Sequence, residues 1–299
     1  MKKKIGFIGL GQMGKWMALN LLKGGFELIV FDICQDAMAF LTKKGANKAN
    51  SPADLARQTD WIFLSVPNSN IAEQVVFGQD GIIKGAKKNQ IVIDLGTSNY
   101  MWTKDFSDRL KDNAIYFSDA PVTGMEDRAK DASLTIMFGG DEDILEELRP
   151  VFKKLGSQII HMGDVGSGQL SKMINNVLFN VHLAALAEVL PMAAQLGIEP
   201  EKISQVINTG SGQSFASNVF IPKILDNRFD HGYPMSHAYK DMVNICEISS
   251  REQIPIPVVN AAFSTYQTAL KSGYGQEDKG AMIKIYEKLL NVEFRKKKD

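Results

Sequence analysis

The chain has 299 residues, 44% of them hydrophobic and 23% charged, which is length enough for two domains and too apolar for a disordered chain. Its 34 basic residues balance its 34 acidic ones, and an extended polyanion demands a basic face, so no nucleic-acid partner is expected. Two cysteines, Cys34 and Cys246, cannot build a disulfide framework, which fits a reducing, cytoplasmic setting.

In chain order, Met1-Lys2-Lys3-Lys4 could open an export signal, but Gly6, Gly9, Gly11, Gln12 and Gly14 interrupt the apolar stretch behind it, so none is expected. Up to residue 165, short β-rich runs at 4–8, 28–31, 61–65, 91–94, 115–118, 134–138 and 158–161 alternate with amphipathic helical stretches. That alternation predicts an α/β unit with a parallel sheet flanked by helices. Ser51-Pro52 marks one helix start, with a hydroxyl to cap the free amides and proline in the first turn. Asp141 marks another, and Ile144, Leu145, Leu148, Val151, Phe152 and Leu155 then fall on one face.

Beyond the glycine-rich 163–168 the strand pattern stops, and helical periodicity runs from Leu170 to Leu196 before Gly197. The remainder reads as all-helical, with breaks at 210–212, 232–234 and 255–257, so a domain boundary is expected near residue 165. The apolar segment 177–190 contains Asn180, His182 and Glu188 and falls short of the ~20 residues a bilayer needs. It reads as a buried helix of a soluble domain, and the terminal Arg295-Lys296-Lys297-Lys298 as a solvated tail; no membrane partner is expected.

Gly9-Leu10-Gly11-Gln12-Met13-Gly14 fits G-x-G-x-x-G between an apolar strand and a helix. The first glycine permits the tight turn, the second admits a pyrophosphate to the backbone, and the third lets helix and strand pack closely. The helix N-terminus then offers free amides and a positive dipole end to the phosphates. Asp32, eighteen residues past Gly14 at the end of the second strand, is placed to accept hydrogen bonds from the adenosine ribose hydroxyls. A carboxylate there repels a 2′-phosphate, and no arginine follows it, so the expected cofactor is NAD over NADP. Asp32 as a simple strand-end cap is the competing reading, and a methyltransferase could use a similar first turn. Val66-Pro67-Asn68 and Gly96-Thr97-Ser98 lie at strand carboxyl ends, where open α/β sheets bind ligands, and are candidate walls of the cofactor site or ordinary turns.

Three further clusters carry chemistry. Asp119-Ala120-Pro121-Val122-Thr123-Gly124 combines a hydroxyl with amides beside a glycine, a turn able to hold a carboxylate. At the entrance to the long helix, Lys172, Asn175 and Asn176 project together while Leu170, Met173 and Ile174 pack elsewhere. Two amides beside a lysine favour a wet or ligand-lined surface, where that lysine could exchange a proton with a substrate hydroxyl. His237-Ala238-Tyr239-Lys240-Asp241 supplies a second lysine, which is either a ligand contact or half of a Lys-Asp pair. His161, His182, His231 and His237 show no metal-ligand spacing, so no metal is expected.

These four clusters, in this order across essentially the whole chain, resemble the β-hydroxyacid dehydrogenase family. The pieces are the strand and turn 5–14, then 119–124, then Gly168-Gln169 with Lys172 and Asn175-Asn176, then Lys240-Asp241. The resemblance implies a Rossmann-type dinucleotide-binding domain over 1–165 followed by an all-α domain over 166–299, as in 6-phosphogluconate dehydrogenase-like proteins. It implies that Lys172 is the catalytic acid/base, that Thr123 and Gly124 hold a substrate carboxylate and that Asn176 orients the substrate. Lys240 would lie beside the nicotinamide and substrate. It also implies a homodimer or homotetramer. Imine reductases, a related branch, lack the lysine, so Lys172 argues for alcohol/aldehyde chemistry. One position departs from the family: where a second glycine usually follows the pair matching Thr123-Gly124, this chain has Met125, then Glu126, Asp127 and Arg128. A side chain there narrows the pocket or shifts the amides.

The expected activity is NAD-dependent interconversion of a short-chain 3-hydroxyacid, first among them 3-hydroxyisobutyrate, with its semialdehyde. Tartronate, succinic or related semialdehydes are alternatives. A decarboxylating 6-phosphogluconate-type enzyme would need a longer chain and extra basic residues, and a non-catalytic NAD-binding regulator is the reading of another class.

Overall fold

The computed structural model describes residues 3–230 and 232–296, and the chain divides into two compact units, residues 1–172 and 173–299. Met1 and Lys2 of the lysine-rich start, His231, and Lys297 and Lys298 of the basic tail lie outside the described residues.

The first unit alternates strands and helices: β1 (Ile5–Ile8), α1 (Gly14–Lys23), β2 (Leu28–Phe31), α2 (Gln35–Thr42), β3 (Asn47–Lys48), α3 (Pro52–Gln58), β4 (Trp61–Leu64), α4 (Ser69–Phe77), β5 (Ile91–Asp94), α5 (Tyr100–Asp112), β6 (Tyr116–Asp119), β7 (Val122–Thr123), α6 (Met125–Lys130), β8 (Leu134–Gly139), α7 (Glu142–Phe152) and β9 (Gly156–Gly163). β3, β2, β1, β4, β5 and β6 pair in parallel, in that order. Side chains alternate between faces along each strand. Phe7 and Phe63 therefore join the core on one side of the sheet, while Ile8, Ile62 and Leu64 join the core on the other. Because helices cover both faces, the strands read as unbroken apolar runs.

The expected all-parallel sheet is corrected at its far end. β8 runs antiparallel to β6 and β7 and parallel to β9, so the sheet is mixed. α6 has six residues, about 9 Å of helix, against about 20 Å for the six residues of β8. So short a helix cannot carry the chain back along the strand, and the chain reverses instead. β6 and β7 are one strand broken at Ala120-Pro121: the pairs Asp119 with Gly139, Val122 with Ile136 and Thr123 with Thr135 share a single antiparallel register. β6 also starts and ends one residue later than predicted, which puts Asp119 inside the strand.

The two predicted helix starts are present. Ser51 accepts from the Asp54 amide at 3.1 Å, and Asp141 accepts from the Asp143 amide at 2.9 Å. On α7 the predicted face buries Leu145, Leu148, Val151 and Phe152, with Ile144 packed against their core. Truncating one of them, Leu148→Ala for example, costs about 2–5 kcal/mol.

α8 (Ser167–Gln195) begins in the first unit and supplies the opening helix of the second. The second unit continues with α9 (Pro200–Thr209), α10 (Phe215–Leu225), α11 (Met235–Glu252), α12 (Pro257–Lys271) and α13 (Ile283–Leu290). Of its three predicted breaks, 210–212 and 232–234 fall between helices and 255–257 runs into the first residue of α12. Tyr266, Phe220, Ile224, Met242 and Phe294 are among its buried side chains. Segment 177–190 lies within α8, and its expected burial is corrected: only part of its surface is covered. α8 is long and apolar enough, by length and composition, to cross a membrane, and half of its most apolar window is buried. Leu183, Ala187 and Leu190 face the core, whereas Ile174, Leu178, Val189 and Met192 are exposed, so the helix is half-buried.

Candidate active site

In the first unit each fingerprint glycine has a distinct physical reason to be glycine. Gly9 has φ +94°, and a Cβ on it would stand 2.3 Å from the Ser65 carbonyl oxygen. A Cβ on Gly14 would stand 2.0 Å from the carbonyl oxygen of Gly9, so the start of α1 closes directly onto the turn. Gly11 meets neither restriction: its φ is ordinary, and a Cβ would find nothing within 4 Å. The protein itself does not require glycine there. A ligand approaching the backbone would, as expected of a pyrophosphate at the second glycine of this motif. Leu10, Gln12 and Met13 complete the turn, Gln12 exposed and Met13 half-buried.

Asp32 sits at the end of β2, as predicted. Its carboxylate accepts from the Leu10 amide at 2.5 Å and from the Cys34 amide at 2.7 Å, so it braces the glycine-rich turn as well as capping the strand end. Each oxygen retains acceptor capacity for a ribose hydroxyl. Val66, Pro67 and Asn68 follow β4; Val66 is the side chain nearest a Gly9 Cβ at 3.2 Å. Asn68 is occupied as the N-cap of α4, accepting from the Ile71 amide at 3.0 Å. Thr97 is half-buried between Gly96 and Ser98.

Asp119 is turned away from the carboxylate-holding role suggested for its cluster. Its Oδ1 accepts from the Gly166 amide at 2.6 Å and its Oδ2 from the Gln169 amide at 2.7 Å, so it caps the helix that carries Lys172 three residues later. Gln169 extends the clamp to β5: its amide side chain accepts from the Ser98 amide at 2.9 Å and donates to the Gly96 carbonyl at 2.9 Å. Asp94, the register partner of Asp119, accepts from Ser98 Oγ at 2.7 Å and from the Gly96 amide at 2.8 Å. Burial raises both carboxyls above the usual range, Asp119 to about 7, and only the backbone amides hold it from rising further. A Cβ on Gly139 would press on Asp119 at 2.6 Å, and one on Gly168 would press on the Met137 carbonyl oxygen at 2.3 Å as well as on Asp119 at 2.8 Å.

Thr123 ends β7 half-buried, and Gly124 follows at φ +139°. Met125, exposed, has φ +63°, the left-handed region that costs an L-residue about 1–2 kcal/mol. A glycine, as in the family pattern, would carry no such cost. Glu126 then reaches the glycine-rich turn: Gln12 Nε2 donates to it at 3.0 Å and Trp16 Nε1 at 2.8 Å. These two donors, with Lys130, lower its carboxyl to about 2.

Lys172 is half-buried in the second turn of α8, and Asn176 lies one turn further along the same helix. Asn175, grouped with them in the sequence, is more exposed. In the second unit Asn176 Nδ2 donates to the buried Asp241 at 3.0 Å, which ties α8 to α11. Lys240, half-buried, stands next to Asp241 on α11. One more turn along α8, the buried Asn180 accepts from Lys279 Nζ at 2.6 Å, and that ammonium lies 3.8 Å from the centre of the Phe179 ring.

Residues 4–163 match the model of the NAD binding domain of 6-phosphogluconate dehydrogenase, and residues 166–286 match the NAD-binding domain of NADP-dependent 3-hydroxyisobutyrate dehydrogenase. The chain belongs to the β-hydroxyacid dehydrogenase family. It is an oxidoreductase with a dinucleotide-binding domain, of a family that acts on the hydroxyl groups of β-hydroxyacids. Among its relatives, 2-(hydroxymethyl)glutarate dehydrogenase of Eubacterium barkeri is 34% identical over 97% of this chain and 96% of that protein. Human mitochondrial 3-hydroxyisobutyrate dehydrogenase is 31% identical over 93% of this chain and 84% of that protein. The solved 3-hydroxyisobutyrate dehydrogenase of Salmonella typhimurium superposes with a TM-score of 0.85 at 28% identity, over 95% of this chain and all of that one.

Sequence reasoning missed the Asp119, Gln169 and Asp94 clamp, because its partners are 47 to 75 residues apart and nothing local announces them. It also gave Glu126 no role. The only available signal was an acidic residue directly after the one position that departs from the family.

Proposed function

We propose that this dehydrogenase uses NAD to interconvert acids of the form HOCH2–CHR–COO− with the corresponding semialdehydes, with 3-hydroxyisobutyrate, where R is methyl, as first choice. The names of the two relatives support the class, since 2-(hydroxymethyl)glutarate is the same skeleton with a carboxyethyl group as R. The observation that carries the reading is Lys172, set one turn into a helix whose N-terminus a buried carboxylate holds against the sheet.

Thr123 Oγ1 and the Gly124 amide hold the substrate carboxylate, and Asn176, its side chain steadied by Asp241, orients the hydroxyl-bearing carbon. Lys240 adds positive charge for the acid. In oxidation Lys172 Nζ, in its neutral form, receives the hydroxyl proton; in reduction it returns that proton to the forming alkoxide. A bound NAD supplies the hydride acceptor. Gly11 admits its pyrophosphate, and Asp32 accepts from its ribose hydroxyls and repels a 2′-phosphate.

Purified protein offered NAD with 3-hydroxyisobutyrate, 2-(hydroxymethyl)glutarate and other 3-hydroxyacids, and NADH with tartronate and succinic semialdehydes, tests the substrate class. Absence of turnover across the panel would defeat it and favour a binding protein. Asp32→Ala should narrow the preference for NAD over NADP by about tenfold; an unchanged ratio would remove the cofactor assignment.

A further inference from the structure

Glu126 has no part in the chemistry above, yet its side chain joins the turn expected to hold the dinucleotide to the turn expected to hold the acid. Its Oε2 accepts from Gln12 in the glycine-rich turn, at 3.0 Å, and its Oε1 from Trp16 Nε1 on the first turn of α1, at 2.8 Å. Lys130 Nζ at 3.4 Å and Lys15 Nζ at 3.9 Å complete its surroundings. Two residues before it stands Gly124. At the other end of α6, the buried Asn20 of α1 donates to the Ala129 carbonyl at 2.8 Å, so α6 is fastened to α1 at both ends.

A second observation points the same way. Met125 is held at φ +63°, and a non-glycine residue keeps such a backbone only where its surroundings over-determine it. On its C-terminal side the restraint is Glu126. A strained backbone inside a ligand-holding turn, fixed by a contact to another ligand-holding turn, is a device for passing order from one to the other.

We propose that Glu126 is a positioning residue that couples the two ligands. A dinucleotide that orders the glycine-rich turn fixes Gln12 and Trp16, these fix Glu126, and Glu126 sets the Gly124 and Met125 backbone that receives the substrate carboxylate. The ordering cost is met once, so whichever ligand binds second binds more tightly. The coupling rests on the assignment of Thr123 and Gly124 to the carboxylate.

NADH with 3-hydroxyisobutyrate forms a pair that cannot react, so both affinities can be measured by calorimetry, each ligand alone and with the other saturating. In wild type, NADH should tighten the hydroxyacid by about fivefold or more, and by linkage the hydroxyacid should tighten NADH by the same factor. Glu126→Ala should bring that factor below about twofold while the affinity for NADH alone stays within about twofold of wild type. Glu126→Gln, which keeps an acceptor for Trp16, should fall between. A general structural defect would weaken both binary affinities and leave the ratio in place. An undiminished ratio in Glu126→Ala, or no coupling in wild type, overturns the proposal. Thr123→Ala separates the underlying assignment: if it leaves the hydroxyacid affinity unchanged, the carboxylate reading fails, and the coupling route fails with it.

Discussion

Replacing Asp119 by Asn isolates the titration of a buried carboxyl that also caps the helix bearing Lys172. Burial raises this carboxyl from 3.8 to about 7 in the folded protein. Between those values the native state holds a proton that the unfolded chain has released, so stability falls as pH rises through the window and levels off above about 7. A shift of about three pH units amounts to about 4 kcal/mol in full, and the part falling between pH 5.5 and pH 8 is about 2 kcal/mol. Asn retains one acceptor oxygen for the Gly166 or Gln169 amide and turns its own N–H toward the other, which costs about 1–3 kcal/mol relative to the protonated wild-type carboxyl and does not change with pH. The variant should thus be the less stable protein at pH 5.5 and draw level with wild type by pH 8. Thermal scans of both proteins at the two pH values measure this: wild type should lose about 4 °C more than the variant on going from pH 5.5 to pH 8. Equal losses would refute a carboxyl raised by burial, and a larger loss in the variant would reverse the sign altogether.

Lys172→Ala should lower kcat by about a hundredfold or more on the best substrate, with NAD affinity within about twofold of wild type; near-normal turnover would end the acid/base assignment. Gly11→Ala and Gly14→Ala should separate ligand from fold. Gly11→Ala should leave urea stability within about 0.5 kcal/mol and weaken NAD by about tenfold or more, because the methyl occupies space the protein leaves open. Gly14→Ala should cost about 3 kcal/mol, since a Cβ 2.0 Å from the Gly9 oxygen forces the turn apart; similar stabilities for the two would contradict the division of roles. Met125→Gly should be neutral or stabilising by up to about 1 kcal/mol in urea unfolding, the relief of a left-handed backbone set against the freer unfolded glycine. A loss above about 1 kcal/mol would show that the Met125 side chain is held by contacts that outweigh the strain.

Most of the fold could be read from the chain itself, for a physical reason. Strands buried on both faces appear as apolar runs, helix starts carry their own caps, as at Ser51 and Asp141, and a Gly9 or a Gly14 is recognisable because backbone geometry demands it at that position. What could not be read was pairing direction near β8, since it depends on whether a six-residue α6 can return the chain the length of a strand. The exposure of Ile174, Leu178, Val189 and Met192 was equally hidden: composition shows that a helix is apolar, and only packing shows which of its faces is covered.

The candidate site divides the same way. The local identities and spacing of Gly9, Gly11, Gly14 and Asp32 marked the dinucleotide turn, while the reaction class came from the resemblance to the β-hydroxyacid dehydrogenases that Thr123, Gly124, Lys172 and Asn176 help to carry. Tertiary structure alone decided what holds those residues in place. Asp119, in the cluster read as a carboxylate-holding turn, caps α8; Asn68, a candidate cofactor wall, also caps α4; and Glu126, given no role by the sequence, joins two turns more than 110 residues apart in the chain. A carboxylate or amide can accept from whichever donors folding brings to it, and no pattern of neighbours along the chain says which donors those will be.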